Sequence, residues 1–295
     1  MSLISLVSAE IPLLDYSQGA SQFSQQPIGL FLAPLLPVET AVGWYKAWTE
    51  RDRFWLPKTE RAMGGQASEL GLVGVDAQYE CTAHGVNYPV DRVLGEQQRG
   101  LQVRDGELYT KEVAQLKHAT LAINKALAAA GAGTAKVWSG ASTPVQDVDN
   151  EILTVMKRAK SPNIGVLFGA TAWHLFKNNS SVLDRSAGAL RWETNPSLFH
   201  GSAEYRTSYV VTDTKPEGVA EAIAFLLDAN VLIFARCATP NRRDQSFMKT
   251  FALVSEALGY DLATRKDGRV DLVKFDWSHD VRVTNATAVS RLNIS

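Results

Sequence analysis

The 295-residue sequence predicts an α+β fold. Three observations carry this. A helical stripe between residues 105 and 130 is longer than a compact domain needs. A helix, a buried strand and a second helix follow in succession from Pro144 to Phe176, and the last third holds several strand signals, some alternating apolar with polar residues.

The first 40 residues differ from the rest. Ser17, Gln18, Ser21, Gln22, Ser24, Gln25, Gln26 and Pro27 crowd one stretch, and the apolar residues around them keep no period. Such a segment cannot bury enough surface alone to offset its ordering entropy. Residues 1–40 therefore read as an extended arm that needs a partner. Met1–Glu10 has no basic stretch ahead of an apolar core, so no signal peptide is expected.

From Val42 to Val93, Trp44, Tyr45 and Trp48, then Phe54, Trp55 and Leu56, precede the glycine-containing stretch Met63-Gly64-Gly65-Gln66-Ala67. Strand-like pieces around such a connection predict a long hairpin with Gln78 to Ala83 on its returning strand. Next, Tyr109, Val113, Leu116, Thr120, Ile123 and Leu127 recur at steps of four and three along one helical stripe. Asp105 is placed to cap its start and Gly131 its end. The helix would span about 24 residues, or about 36 Å.

Thr143-Pro144 is an N-cap and first-position pair for a second helix. Val148, Ile152, Val155 and Met156 lie on one side, and Lys157, Arg158 and Lys160 in the last turn. Ser161-Pro162-Asn163 stops it. Ile164 to Phe168 reads as a buried strand, and Gly169 leads into a short helix through Trp173, Leu175 and Phe176. Further strands are predicted at Tyr209–Thr212, Val231–Ala235, Phe247–Leu253, Val270–Trp277 and Val281–Ala286. The last two alternate in the way of an antiparallel sheet with one exposed face.

Composition narrows the function. Apolar residues make up 45% and charged residues 21%, which suits a folded globular chain. Thirty Lys and Arg against 31 Asp and Glu leave a net charge of −1, so no overall positive field favours tight DNA binding. No apolar run reaches the roughly 20 residues a membrane span requires. Cys81 and Cys237 read as reduced thiols.

Signatures of catalysis are missing: there is no G-x-x-x-x-G-K-[ST], G-x-G-x-x-G, H-E-x-x-H or G-x-S-x-G. His84, His118, His174, His200 and His279 are scattered singly, and Cys81 with His84 lacks the second ligand pair of a zinc site. Asp147 and Asp149 fit the dipole of a helix N-terminus better than a calcium loop. No catalytic, cofactor or metal residue is assigned. Arg242, Arg243 and Asp244 form a charged turn, either a solvated loop or a subunit-contact ion pair; Arg53, Lys58 and Arg61 read the same way. Trp44, Trp48 and Trp55 are either core residues or interface anchors, since three large aromatics on one excursion exceed what a single chain readily covers.

The order of these parts resembles tailed-phage major capsid proteins with the Hong Kong 97-like fold, which encapsulins share. Three stretches carry the resemblance. Asp52-Arg53-Phe54-Trp55, Gly64-Gly65 and Tyr79-Glu80-Cys81 leading to Tyr88-Pro89-Val90-Asp91 look like that family's E-loop. Glu107 to Ala130 looks like its spine helix. Val137-Trp138-Ser139, the helix to Lys160, Pro162-Asn163-Ile164-Gly165-Val166-Leu167-Phe168-Gly169 and Trp173-Leu175 look like its axial domain.

The resemblance implies an N-terminal arm at 1–40, an E-loop region at 41–95, a peripheral domain with the spine helix at 96–140, an axial domain at 141–265 and C-terminal peripheral strands at 266–295. It implies a non-enzymatic subunit that assembles as pentamers and hexamers into the icosahedral shell of a tailed phage virion, put together in the host cytoplasm. Expected partners are further copies, a portal, scaffolding or decoration proteins, and packaged DNA held without sequence-specific contact. Trp44, Trp48, Arg53, Phe54, Trp55, Lys58 and Arg61 are the expected intersubunit contacts. Lys58 alone does not establish the isopeptide cross-link of some members. The alternatives are an encapsulin-like compartment subunit and, more remotely, a soluble α/β enzyme, which would show a small oligomer and a concave pocket.

Overall fold

The computed structural model describes residues 27–48, 60–61, 63, 74–91, 96–140, 142–186, 203–213, 223–237, 239–253, 261–267 and 270–295. It is a mixed α+β chain built on two five-stranded sheets. The first contains β1 (Leu35–Val38), β4 (Thr82–Asp91), β11 (Met248–Leu253), β12 (Asp261–Asp267) and β13 (Val270–Val283). β13 organises it. At His279 this strand pairs with Ala252 of β11 on one edge and Thr82 of β4 on the other. From Val270 to Asp276 it lies between β12 and β4. β11 and β12 therefore share one edge of β13, end to end, while β4 takes the other.

That arrangement corrects the expectation of two separate strands, Val270–Trp277 and Val281–Ala286. The alternation stops at Trp277, and Trp277 to Val281 are all buried. Strands on both edges satisfy the backbone there, so polar Ser278, His279 and Asp280 continue the strand instead of turning. The last strand, β14 (Val289–Ile294), belongs to the other sheet.

The second sheet has the order β5-β14-β10-β6-β7, with β5 (Thr134–Lys136), β6 (Ile164–Gly169), β7 (Ala203–Ser208) and β10 (Asn230–Ala235). The predicted strand from Ile164 is wholly buried. It has β10 antiparallel on one side and β7 parallel on the other, with helices packed over it. The second helix, Pro144–Ala159, buries Val148, Ile152 and Val155 of its expected stripe, with Met156 partly buried and Val145 buried in addition, and ends on Lys160 in the left-handed conformation (φ 54°). Thr143 precedes it without a side-chain cap. Asp147 in the first turn is bound instead by Lys136 Nζ (2.7 Å) and by the indole N–H of Trp138 (3.1 Å), closing the β5 strand onto the helix. β8 (Val211–Asp213) and β9 (Ile223–Phe225) form a separate two-stranded ribbon.

The long helix, α2, runs Glu96–Ala130, well N-terminal of the predicted start at Asp105. Thirty-five residues correspond to about 52 Å. Gly131 ends it as expected, at φ 67° and with its N–H on the Leu127 carbonyl (3.1 Å). The predicted face holds in the C-terminal half, where Ile123 is buried in the core and Leu127 packs against it, and fails in the N-terminal half. Tyr109 is exposed, whereas Val103, Gly106, Thr110, Ala114, His118, Ala122 and Ala126 are buried. Small side chains let the helix axis approach β4 and β13 closely.

Residues 27–38, within the stretch predicted as an arm, are docked in their own chain. The short helix α1 (Ile28–Leu32) buries Phe31 against Phe234 (centroids 5.5 Å apart) with the Arg206 and Arg236 guanidinium groups over its ring, and β1 pairs in parallel with β11. Residues 1–26 lie outside the described residues.

Candidate subunit-contact surface

The expected hairpin begins and ends as a ribbon of β2 (Val42–Ala47) and β3 (Val75–Glu80), paired antiparallel from Val42↔Glu80 to Ala47↔Val75. Opposed residues share a face, so strand alternation divides the ribbon. Gly43, Tyr45, Tyr79 and Ala77 lie on one face; Val42, Trp44, Gln78 and Glu80 lie on the other. The first face closes on β1 and β11: Tyr45 and Tyr79 are buried with Leu36, Val38 and Phe251. Gly43 lies opposite Tyr79, and any side chain there would collide with the phenol ring. On the second face Trp44 is 62% exposed, with Val42 two residues away at 47%. Lys46 and Asp76 pair across the strands at 2.7 Å.

Trp48, two positions beyond Lys46, has a different fate. It is buried within its own chain, its backbone N–H on the Thr284 carbonyl (2.9 Å) and its indole N–H on the Asp244 carbonyl (3.1 Å). Trp44 therefore presents its ring to the outside, and Trp48 fastens the ribbon's root to the body. Arg61 is exposed; Arg53, Phe54, Trp55 and Lys58 lie outside the described residues.

The turn at Arg242–Asp244 takes part in the same anchorage. Asp244 receives the backbone N–H groups of Asn241 (2.6 Å) and Ser246 (2.9 Å) and pairs with Lys249 Nζ at 3.0 Å, whose side chain is fully buried. Burial pushes the Lys249 ammonium below the usual lysine range, against the opposing pull of the Asp244 carboxylate. Arg242 reaches the Tyr79 hydroxyl (3.4 Å), and its carbonyl accepts the Lys46 N–H (3.3 Å). Of the two readings of the charged turn, Asp244 takes neither: its ion pair is internal, because the turn packs against the ribbon root.

Three of the five scattered histidines converge, which their positions in the chain do not suggest. His118 on α2 lies edge-on to His279 on β13 (5.2 Å), and His279 faces His84 on β4 (5.4 Å). Burial drives the His118 imidazole down to about 3 and His279 to about 4, with neighbouring histidine charge a lesser cause in each. Cys81 and His84 are engaged separately. The thiol donates to the Phe251 carbonyl (3.5 Å), while His84 stacks on Trp277 at 5.6 Å. Among the described residues no three His, Cys, Asp or Glu side chains are placed to hold a metal ion. No helix among them is long and apolar enough to cross a membrane.

No family model and no curated protein matches the chain. Solved structures do. A phage-related protein from Bordetella bronchiseptica RB50 is similar over 96% of both chains with a TM-score of 0.70 at 14% identity. The capsid protein of cyanophage P-SCSP1u is similar over 90% of this chain and 86% of its own (TM-score 0.56, 10% identity). The SrpI encapsulin of Synechococcus elongatus PCC 7942 is similar over 92% and 88% (TM-score 0.52, 11% identity). At such identities the likeness is one of fold. The chain has the α+β fold of phage capsid proteins along nearly its whole length.

Proposed function

We propose that the chain is the major capsid protein of a tailed phage, a non-enzymatic subunit whose copies assemble as pentamers and hexamers into an icosahedral shell around packaged DNA. The observation that carries this reading is the near end-to-end similarity to a phage-related protein and to a cyanophage capsid. The reading assigns the β2–β3 ribbon to the root of an E-loop, α2 to the spine helix of the peripheral domain, and the sheet around β6 and β10 to the axial domain. It confines the N-terminal arm to the residues before the docked helix α1.

In this reading assembly is geometric. A ribbon rooted by Tyr79 and Trp48 and carrying Trp44 outward lays an aromatic anchor on a neighbouring copy. Burying apolar surface there contributes about 25 cal/mol per Å². A net charge of −1 suits a wall that confines DNA without binding it tightly. Portal, scaffolding or decoration proteins would complete the virion. The similarity to the SrpI encapsulin favours a second reading, a nanocompartment subunit on the same fold.

Electron microscopy of the purified chain tests both. Uniform closed particles are expected, and a monodisperse monomer or dimer under all conditions would sink the shell. A portal and terminase gene beside its own would support the phage; an adjacent enzyme with a docking tail would support the compartment.

A further inference from the structure

We propose that His118, His279 and His84 form an acid-sensitive latch, which holds α1 and α2 against the first sheet only while the imidazoles are uncharged and releases them on protonation. The inference does not rest on shell assembly, because the latch is complete within one chain.

The hydrogen bonds identify which nitrogen would have to accept the proton. The Thr250 hydroxyl on β11 donates to the Ala33 carbonyl (2.9 Å), so its contact with His118 Nε2 (2.8 Å) must be one in which the imidazole N–H donates. His118 is therefore the Nε2–H tautomer, with Nδ1 bare. Nδ1 points at the backbone of Gly29 in α1, so closely that a methyl group at Gly29 would strike it. A proton arriving on Nδ1 would become a charged donor against packed helix backbone, with no room for water. His279 is in a similar position, because its buried Nε2 makes no hydrogen bond.

The surrounding charges add to that cost. From α2, Lys117 acts on His84 and His279, and Lys125 on His279. Among the described residues the carboxylate that acts on His279 is Asp280 on β13, which is already bound by Lys125 Nζ (3.7 Å), by Arg282 and by the Glu80 N–H (3.0 Å). From β4 comes His84 itself, half-buried and lowered by burial and by Lys117. β11 supplies the neutral Thr250, and α1 only backbone. The cluster thus holds three imidazoles, two ammonium groups and one committed carboxylate.

Linkage sets the size of the effect. His118 and His279 stay neutral in the closed chain down to about 3 and about 4, whereas in an opened chain each would titrate near 6.5. Opening therefore takes up two protons, and between pH 7.5 and 5.5 each raises the opening constant about tenfold, about 100-fold together. Ordinary carboxylates stay ionised across most of that window.

The test is amide hydrogen exchange with mass spectrometry on the full chain, comparing peptides over 27–33 and 115–126 with the buried strand 164–169 after correction for intrinsic rates. The expected result is a loss of protection of about 100-fold at α1 and α2 relative to that strand from pH 7.5 to 5.5, and about 10-fold in His279→Leu. Flat protection in the parent chain, or an undiminished loss in the His118→Asn/His279→Leu double variant, would overturn the latch. Should the variants not fold, exchange at the imidazole C2 position of the unmodified chain decides instead. His118 and His279 are expected not to titrate above pH 5, and a midpoint near 6.5 for either would also overturn it.

Discussion

Tyr79 lies flat on Phe251, their ring centroids 4.4 Å apart and their planes 4° from parallel. This stack joins β3 of the ribbon to β11 of the body, and Tyr45 tilts onto the same phenylalanine at 5.2 Å. Phe251 is thus the floor on which the ribbon stands. Phe251→Ala is expected to cost about 3–5 kcal/mol, since the cavity opens beneath two rings that cannot both collapse into it. Tyr79→Phe keeps the stack and loses only the part-buried hydroxyl contacts with Thr40 and Arg242, costing about 1 kcal/mol. Urea midpoints of the two variants check the ratio.

Trp44 and Trp48 separate stability from association. Trp48→Ala removes a buried ring and an indole hydrogen bond, so unfolding should be easier by about 3–5 kcal/mol. Trp44→Ala removes a ring 62% exposed and should leave the urea midpoint within about 0.5 kcal/mol. If Trp44 is an interface anchor, the same change raises the protein concentration needed for particle formation, as light scattering would show. Unaltered assembly by Trp44→Ala would remove it from the contacts.

The contrast between these two tryptophans shows how far the sequence could be read. The ribbon was legible because apolar runs around a glycine-containing connection constrain local pairing. Which face of it meets the body was not, since that depends on Phe251, about 170 residues further on. The existence of α2 and its end at Gly131 were legible, but its start at Glu96 was not, and the N-terminal part of its buried face was misjudged. Ranking by bulk selects Tyr109, whereas close packing selects Gly106, Ala114 and Ala122, whose spacing was visible but whose size carries little hydropathy. Nothing local brings His84, His118 and His279 together; the register of β4 on β13 sets His84 near His279, and the packing of α2 on that sheet adds His118. The order of parts, by contrast, was enough to point to the α+β fold that the chain shares with phage capsid proteins.

Lys249 and Asp244 give a test of buried charge. Asp244→Ala leaves the ammonium without its partner and frees two backbone N–H groups of the turn, and should cost about 3–5 kcal/mol. Lys249→Met leaves the Asp244 carboxylate with its backbone N–H donors but without its ion partner, and should also destabilise, by less than Asp244→Ala; removing both charges in Asp244→Ala/Lys249→Met should cost less than the sum of the two singles. Because burial lowers the Lys249 value below 10.5, the unfolded chain binds this proton more tightly. Its contribution to stability therefore rises with pH through the window below 10.5. That rise should be missing from Lys249→Met in urea titrations between pH 8 and 10.

The docked helix α1 changes what an arm deletion should remove. Deleting residues 1–26 is expected to leave a cooperatively folding chain and to impair particle formation. Deleting residues 1–40 also removes Phe31 and Leu32 from the core and β1 from the edge of β11, and should yield insoluble or unfolded material. Circular dichroism melts separate the two. A chain lacking residues 1–26 that assembled normally would exclude the arm role.

Two glycines in α2 should respond in opposite directions to the same substitution. Gly100 has nothing within reach of an added Cβ, so Gly100→Ala gains helix propensity and should stabilise the chain by about 0.5–1 kcal/mol. Gly106 faces Tyr88 of β4, and an added Cβ would come within 2.5 Å of the ring. There the propensity gain is outweighed by overpacking, because the helix cannot retreat without lifting its small-residue face from β4 and β13. Gly106→Ala should cost about 1–3 kcal/mol. Pairing it with Tyr88→Ala relieves the collision, so the double variant should be less destabilised than the sum of the singles by about 1 kcal/mol or more. A purely additive cycle would mean that the ring of Tyr88 is not what holds position 106 to glycine.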